Sequence, residues 1–90
     1  KLTIMTLAEK IQTELIGSRY GSTTEMEEIL TQIVGENVSW YDTNIDDGVD
    51  DDETEDMYVM RDAFSTDDDK INIRIYYGDM TGEITYVSVN

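Results

Sequence analysis

The sequence contains no cysteine, no histidine and no proline, and only six of its 90 residues are lysine or arginine. Without cysteine there is no disulfide and no thiolate site, and without histidine the usual base-activated nucleophile is missing. Zinc sites lose their two commonest protein ligands for the same reason. The six glycines are scattered rather than grouped in a phosphate-binding loop. We therefore expect no catalytic site, no metal site and no cofactor, and predict that the protein is not an enzyme.

A chain of 90 residues has room for one modest core, so residues 1–90 are predicted to form a single domain. Its hydrophobic residues, 39% of the total, fall in periodic blocks, unlike those of a disordered acidic chain. No apolar run approaches the roughly 20 residues of a membrane span, and no signal peptide is visible. Together with the absence of cysteine, this favours the cytoplasm.

Charge of one sign dominates the composition. Asp and Glu number 21 against six Lys and Arg, which gives a formal net charge of −15. Nucleic acids and anionic membranes are polyanions, so we expect neither as a partner. Cations, basic protein surfaces and simple solubility remain as explanations of the acidity.

Hydrophobic periodicity predicts one helix over residues 6–16 and another over residues 22–34. Both begin with a capping-box pattern, in which a hydroxyl and a following glutamate satisfy each other's backbone amides. Both end at a glycine, Gly17 and Gly35, which accepts the left-handed conformation that closes a helix. Between the helices, residues 18–21 are predicted to form a brief extended segment.

After the second helix the period of the hydrophobic residues becomes that of a strand. Strands are predicted over residues 38–41, 57–64, 70–77 and 83–89. The last two are joined by a hairpin turn, and a phase slip within the last strand indicates a bulge. The predicted fold class is α+β, with two N-terminal helices packed on one face of an antiparallel β-sheet meander in the order α-β-α-β-β-β-β.

The acidic residues concentrate in residues 42–56, of which nine in fifteen are aspartate or glutamate. An extended chain of this composition carries one charge every ~5 to 6 Å, comparable with one phosphate per roughly 3.4 Å of a DNA strand. The first turns of the second helix add Glu25, Glu27 and Glu28, which the helix dipole also favours at that position. These observations lead to the hypothesis of a DNA mimic that occupies the basic groove of a nucleic-acid-binding protein.

Two other interpretations of the acidic segment remain open. One is a solvated loop that blunts strand edges and keeps the protein monomeric. The other is a calcium-binding interaction module of the EF-hand type. Two features depart from that motif: its turn glycine, here Gly48, comes one residue late, and the segment before the loop is predicted to be extended rather than helical. Five residues follow the ligand spacing of an EF-hand loop: Asp42, Asn44, Asp46, Asp50 and Glu53.

The order of elements resembles the phage-type uracil-DNA glycosylase inhibitors over nearly the whole chain. Residues 26–37 (MEEILTQIVGEN) are similar to that family's acidic, Val/Ile-rich helix ending in Gly-Asn. Residues 52–60 (DETEDMYVM) are similar to its acidic loop entering a Met-containing strand. On the short first strand, Tyr20 and Ser22 stand where the family carries a Glu-Ser-Ile signature.

In that family the first strand and the start of the second helix enter the enzyme's DNA groove, and an apolar cavity between helix and sheet captures a side chain of the enzyme. Charge and resemblance together predict partner-binding residues: Glu25, Glu27, Glu28, Asp46, Asp47, Asp50, Asp51, Asp52, Glu53, Tyr20 and Ser22. The resemblance implies an apolar pocket lined by residues whose spacing equally suits an ordinary core: Met26, Ile29, Ile33, Met57 and Val59.

The expected partner is a protein with a basic DNA-binding groove, most specifically uracil-DNA glycosylase, bound one to one by a monomer. Targets of other phage DNA mimics, such as anti-CRISPR and anti-restriction proteins, fit the acidity equally.

Overall fold

The computed structural model describes residues 5–46 and 58–90. Its elements are α1 (Leu7–Leu15), α2 (Thr23–Val34), β1 (Val38–Asp46), β2 (Val59–Thr66), β3 (Asn72–Gly78) and β4 (Ile84–Val89). Each strand pairs antiparallel with the next one along the chain, so the sheet is a meander in the order β1-β2-β3-β4. The predicted α+β class is confirmed. Neither described helix is long and apolar enough to cross a membrane.

Side-chain caps determine where the helices begin. Thr6 opens α1 with a full capping box, since its Oγ1 accepts the Glu9 amide at 3.1 Å and the Glu9 carboxylate accepts the Thr6 amide at 2.9 Å. Ser22 opens α2 by accepting the Glu25 amide at 3.1 Å, which is the hydroxyl's half of the predicted box. The α2 helix ends at Gly35, whose φ of 88° is left-handed as predicted.

Residues 18–21 form a single bridge rather than the predicted first strand. Arg19 pairs with Glu83 as an isolated antiparallel bridge, and the Tyr20 amide donates to the Gly82 carbonyl at 2.7 Å. The order of elements is therefore α-α-β-β-β-β, and residues 18–21 are hydrogen-bonded to the chain at the start of β4. The end of α1 and the cap of α2 lie too close together in sequence to leave room for a longer ladder.

Strand β1 continues to Asp46, beyond the end predicted at residue 41. The acidic residues of its second half resemble a loop in sequence, but pairing with β2 holds them extended. A register shift between Trp40 and Asp42 marks a bulge at Tyr41. Because side chains alternate along a strand, this extra residue places both Trp40 and Thr43 on the side that faces the helices.

A second bulge lies in β4, as predicted. Tyr76 pairs with Tyr86 and Tyr77 pairs with Ile84, so Thr85 is the extra residue. Tyr86 is consequently on the outer face of the sheet, where its ring lies 5.5 Å from that of Tyr76.

The hydrophobic core lies between the two helices and one face of the sheet. Helix α2 packs chiefly on β1, and α1 packs chiefly on β4. The buried residues of this core come from every described element: Ile11, Leu15, Tyr20, Met26, Leu30, Val38, Phe64, Ile73, Ile75, Ile84 and Val87. The core therefore fixes α2 against the edge strand β1, and the two elements together form one continuous surface.

Candidate functional site

The surface formed by α2 and the edge strand β1, here called the α2–β1 face, carries charge of one sign. No lysine or arginine occurs between Arg19 and Arg61, a stretch that includes both elements. Glu25 and Glu28 are exposed on the first turns of α2, and Glu27 between them is half-buried against β1. Asp42 of β1 is also exposed, but it pairs with Ala63 and so lies on the outer face of the sheet, away from the helices. Glutamates three positions apart on a helix lie about 5–6 Å from each other at Cβ. The face therefore presents closely spaced carboxylates with no cation among them.

Side chains of α2 cover the free edge of β1. The Thr31 hydroxyl accepts the Val38 amide at 3.0 Å, and the Glu27 carboxylate accepts the Trp40 amide at 2.8 Å. An edge strand otherwise offers such amides to the strand of another chain. Glu27 thus has a structural task, whereas the neighbouring glutamates are directed to solvent.

A depression of about 410 Å³ lies between α2 and the start of β1. Its wall combines two carboxylates with hydroxyl, amide and apolar groups: Thr24, Glu27, Glu28, Thr31, Gln32, Asn37, Val38 and Ser39. The two carboxylates could pair with a cationic side chain of a partner.

Three large apolar side chains are exposed on β1 beside these acids. Trp40 is 41% exposed, Tyr41 is 50% exposed and Ile45 is 60% exposed. None of them was among the predicted partner-binding residues. The sequence does offer a signal for Trp40 and Tyr41, because this aromatic pair directly precedes the acidic residues 42–56 and contains the single tryptophan of the chain.

A buried carboxylate lies beneath these exposed side chains of β1. Asp62, 1% exposed, accepts hydrogen bonds from the hydroxyls of Tyr20, Tyr77 (3.3 Å) and Thr43 (2.6 Å). The rings of Tyr20 and Tyr77 stack with centroids 4.0 Å apart and planes 3° from parallel. The indole Nε1 of Trp40 donates to Thr43 Oγ1 at 3.0 Å. In the described part of the chain, every buried polar side-chain atom has a hydrogen-bond partner.

Burial is the main cause of the raised pKa at both stacked tyrosines. The hydrogen bond that each donates to Asp62 and the negative charge of the Asp62 carboxylate raise the pKa further. The pKa of Tyr20 is well above its usual value, and that of Tyr77 is raised from 10.0 to about 12. Both phenols are therefore held in the neutral, hydrogen-bond-donating form at any pH near neutrality.

The raised tyrosine pKa values predict a loss of stability in alkali. Above about pH 10, the ordinary pKa of tyrosine, the unfolded chain releases the Tyr20 and Tyr77 protons while the folded chain keeps them. The free energy of unfolding should therefore fall as the pH rises from about 10 through about 12. Thermal melts across this range should show a decline that is smaller in the Tyr20→Phe, Tyr77→Phe double variant. An equal decline in both proteins would contradict the assignment.

The predicted partner-binding residues do not all lie at the surface. Glu25, Glu28 and Ser22 are exposed and Glu27 is half-buried. Tyr20 is only 9% exposed, so its ring belongs to the core and offers little surface to a partner. Asp46 ends β1. The remaining predicted acids lie outside the described residues: Asp47, Asp50, Asp51, Asp52 and Glu53.

The described members of the predicted apolar pocket do not share one cavity. Met26 is buried in the core, and Ile29 and Ile33 pack against it from α2. Strand alternation places Val59 on the opposite face of the sheet from the buried Asp62 and Phe64 of the same strand, because it differs from them by an odd number of positions. Met57 lies outside the described residues. The α2 residues form ordinary helix-on-sheet core.

The first residues of the EF-hand spacing lie in a strand. Asp42, Asn44 and Asp46 belong to β1, where alternate residues advance steadily and the first and last Cα atoms are about 13 Å apart. An EF-hand loop instead curls such residues around one ion at about 2.3–2.6 Å. Among residues 5–46 and 58–90, no group of acidic side chains is placed to hold a metal ion.

Comparison of the chain with protein-family models, with curated proteins and with solved structures finds no match. The function of the α2–β1 face therefore has to be inferred from its own residues.

Proposed function

We propose that the protein is an acidic inhibitor that occupies the basic DNA-binding groove of a DNA-processing enzyme through its α2–β1 face. The observation that carries the proposal is the composition of this face, where Glu25 and Glu28 are exposed on α2 and the rings of Trp40 and Tyr41 are exposed on the adjoining strand β1. No lysine or arginine interrupts the chain between Arg19 and Arg61. The inhibitor acts as a monomer in a one-to-one complex, with no catalytic step, cofactor or metal.

The two kinds of side chain have different tasks in such a complex. Carboxylates attract a groove that evolved to neutralise phosphates, and they accelerate association in a salt-dependent manner. Charge alone discriminates poorly among basic surfaces, so selectivity comes from apolar anchors near the centre of the contact. Trp40 and Tyr41 are suited to that second task because they are large, exposed and adjacent to the acids.

Uracil-DNA glycosylase is the specific target that we propose. The support is the resemblance of the acidic second helix, which forms half of the α2–β1 face, and of the four consecutive antiparallel strands that follow it. The first experiment mixes the protein with a bacterial uracil-DNA glycosylase and follows uracil release from DNA. We expect stoichiometric inhibition that weakens as salt is added, because the Debye length shortens from about 10 Å at 0.1 M to about 3 Å at 1 M.

Full glycosylase activity at a several-fold molar excess of the protein would exclude this target. The same titration against other phage-restricting nucleases then tests the wider proposal of a DNA mimic. Failure to inhibit or bind any enzyme with a basic DNA groove would refute it.

A further inference from the structure

The single tryptophan of the chain is fixed from two directions at the edge of the sheet. The Trp40 amide donates to the Glu27 carboxylate at 2.8 Å, and its indole Nε1 donates to Thr43 Oγ1 at 3.0 Å. Nevertheless, 41% of the residue remains exposed. An exposed ring held in one orientation has already lost the rotational freedom that binding would otherwise remove.

Thr43 connects this exposed ring to the buried carboxylate. Its hydroxyl accepts the indole hydrogen bond and donates its own proton to Oδ1 of Asp62 at 2.6 Å. Because a hydroxyl has one proton to donate, the acceptor at Asp62 determines its direction and leaves the oxygen lone pairs available to the indole. The other carboxylate oxygen, Oδ2, is held by the hydroxyls of Tyr20 and Tyr77.

The bulge at Tyr41 makes this connection possible. In a regular strand, residues separated by an odd number of positions point to opposite faces. The register shift between Trp40 and Asp42 places the indole and the Thr43 hydroxyl on the same side, above Asp62. Bulges commonly re-aim a side chain beside a functional site.

We propose that Asp62 is a positioning residue that acts through Thr43 to hold the indole of Trp40 as a preorganised anchor of the α2–β1 face. The anchor's part in binding rests on the proposed function, whereas the orientation of Trp40 is a property of the free protein. In the complex, the Trp40 indole would pack on an apolar side chain at the margin of the basic groove, where it adds contact area beside the carboxylates.

Fluorescence of Trp40 in the free protein tests the connection without any partner. Thr43→Val keeps the side-chain shape and removes the hydroxyl, so we expect red-shifted emission and a several-fold rise in quenching by acrylamide. Thr43→Ser restores the hydroxyl and should restore the original emission. Asp62→Leu removes the acceptor and should reproduce the effect of Thr43→Val.

Tyr20→Phe is the matched control, because it removes only a hydrogen bond to Oδ2. It should lower stability and leave the Trp40 signal of the folded protein unchanged. A purely structural network would instead make the variants less stable without altering the emission of the folded state. Unchanged emission and quenching in Thr43→Val would overturn the proposal.

The part assigned to Asp62 is tested separately. If Thr43→Val frees the ring and a folded Asp62→Leu does not, Asp62 is not a positioning residue. Where Asp62→Leu does not fold, Asp62→Asn takes its place, and we expect a smaller shift in the same direction. Emission identical to the original in Asp62→Asn would then overturn the role of the carboxylate.

Binding provides the second readout. Thr43→Val should weaken binding to the inhibited enzyme about threefold to tenfold, mainly through faster dissociation, because a freed side chain must be immobilised at the interface. Unchanged dissociation would overturn the anchor role. A protein that shows the fluorescence effect and binds no DNA-processing enzyme would refute the proposed function and leave the positioning of Trp40 intact.

Discussion

Replacing both Glu25 and Glu28 with lysine should abolish inhibition, with a loss of affinity of about two orders of magnitude or more. Both side chains are exposed on the first turns of α2. Like charges brought together across an interface cost several kcal/mol, and every ~1.4 kcal/mol is a factor of ten in affinity. The measurement is the dissociation constant for the inhibited enzyme at low and high salt, and the loss should shrink as salt is added.

The matched control carries the same change of net charge on the other side of the molecule. Glu14 on α1 and Glu83 before β4 are both exposed, and reversing the pair should alter binding only a few-fold. Lysine near the start of α2 also opposes the helix dipole, at a cost of about 0.3–1 kcal/mol, so thermal melts must show that the variant is folded. Equal losses in the two double variants would indicate that net charge, and not the α2–β1 face, governs binding.

Phe64→Ala should produce the largest loss of stability, about 3–5 kcal/mol. Phe64 is fully buried at 0% exposure on the inner strand β2, opposite Trp40 on β1 and Ile73 on β3. Truncation removes the ring from the centre of the core and leaves a cavity that the paired strands on either side cannot readily close. Since small domains have unfolding free energies of roughly 5–15 kcal/mol, the variant should be marginally folded.

Urea denaturation measures this loss, and Tyr86→Ala is its control. Tyr86 is also an aromatic residue in the sheet, but it is 54% exposed on the outer face. Its truncation should cost about 1 kcal/mol or less, because little apolar area is withdrawn from water. Similar midpoints for the two variants would contradict the position of the core between helices and sheet.

The fold class followed from periodicity because hydrophobic residues recur at helical spacing in α2 and at alternate positions in β3. The caps at Thr6 and Ser22 were visible because capping depends on neighbours in sequence. The length of β1 was underestimated, since its second half is polar and is held extended by pairing with β2 rather than by its own composition. The strand predicted over residues 18–21 is a bridge because α1 and α2 leave too little chain for a ladder.

The acids of the candidate site could be predicted, whereas its anchors and their support could not. Charge is a property of each residue, so Glu25 and Glu28 were identified directly. The connection from Trp40 to Asp62 depends on a bulge and on a register between two strands, and neither is encoded by local spacing. Tyr20 was expected at the surface from its place in the chain, but stacking on Tyr77 buries it.

The bulge at Tyr41 also constrains how the length of this protein can change. Deleting one residue between Trp40 and Thr43 would leave them two positions apart, on the same side of a regular strand and still opposite Phe64 and Asp62. Deleting one residue elsewhere in β1 would instead turn the side chains beyond it to the other face of the sheet. Single deletions should therefore be tolerated at the bulge and not in the rest of β1, a pattern that a deletion library would reveal without any knowledge of the partner.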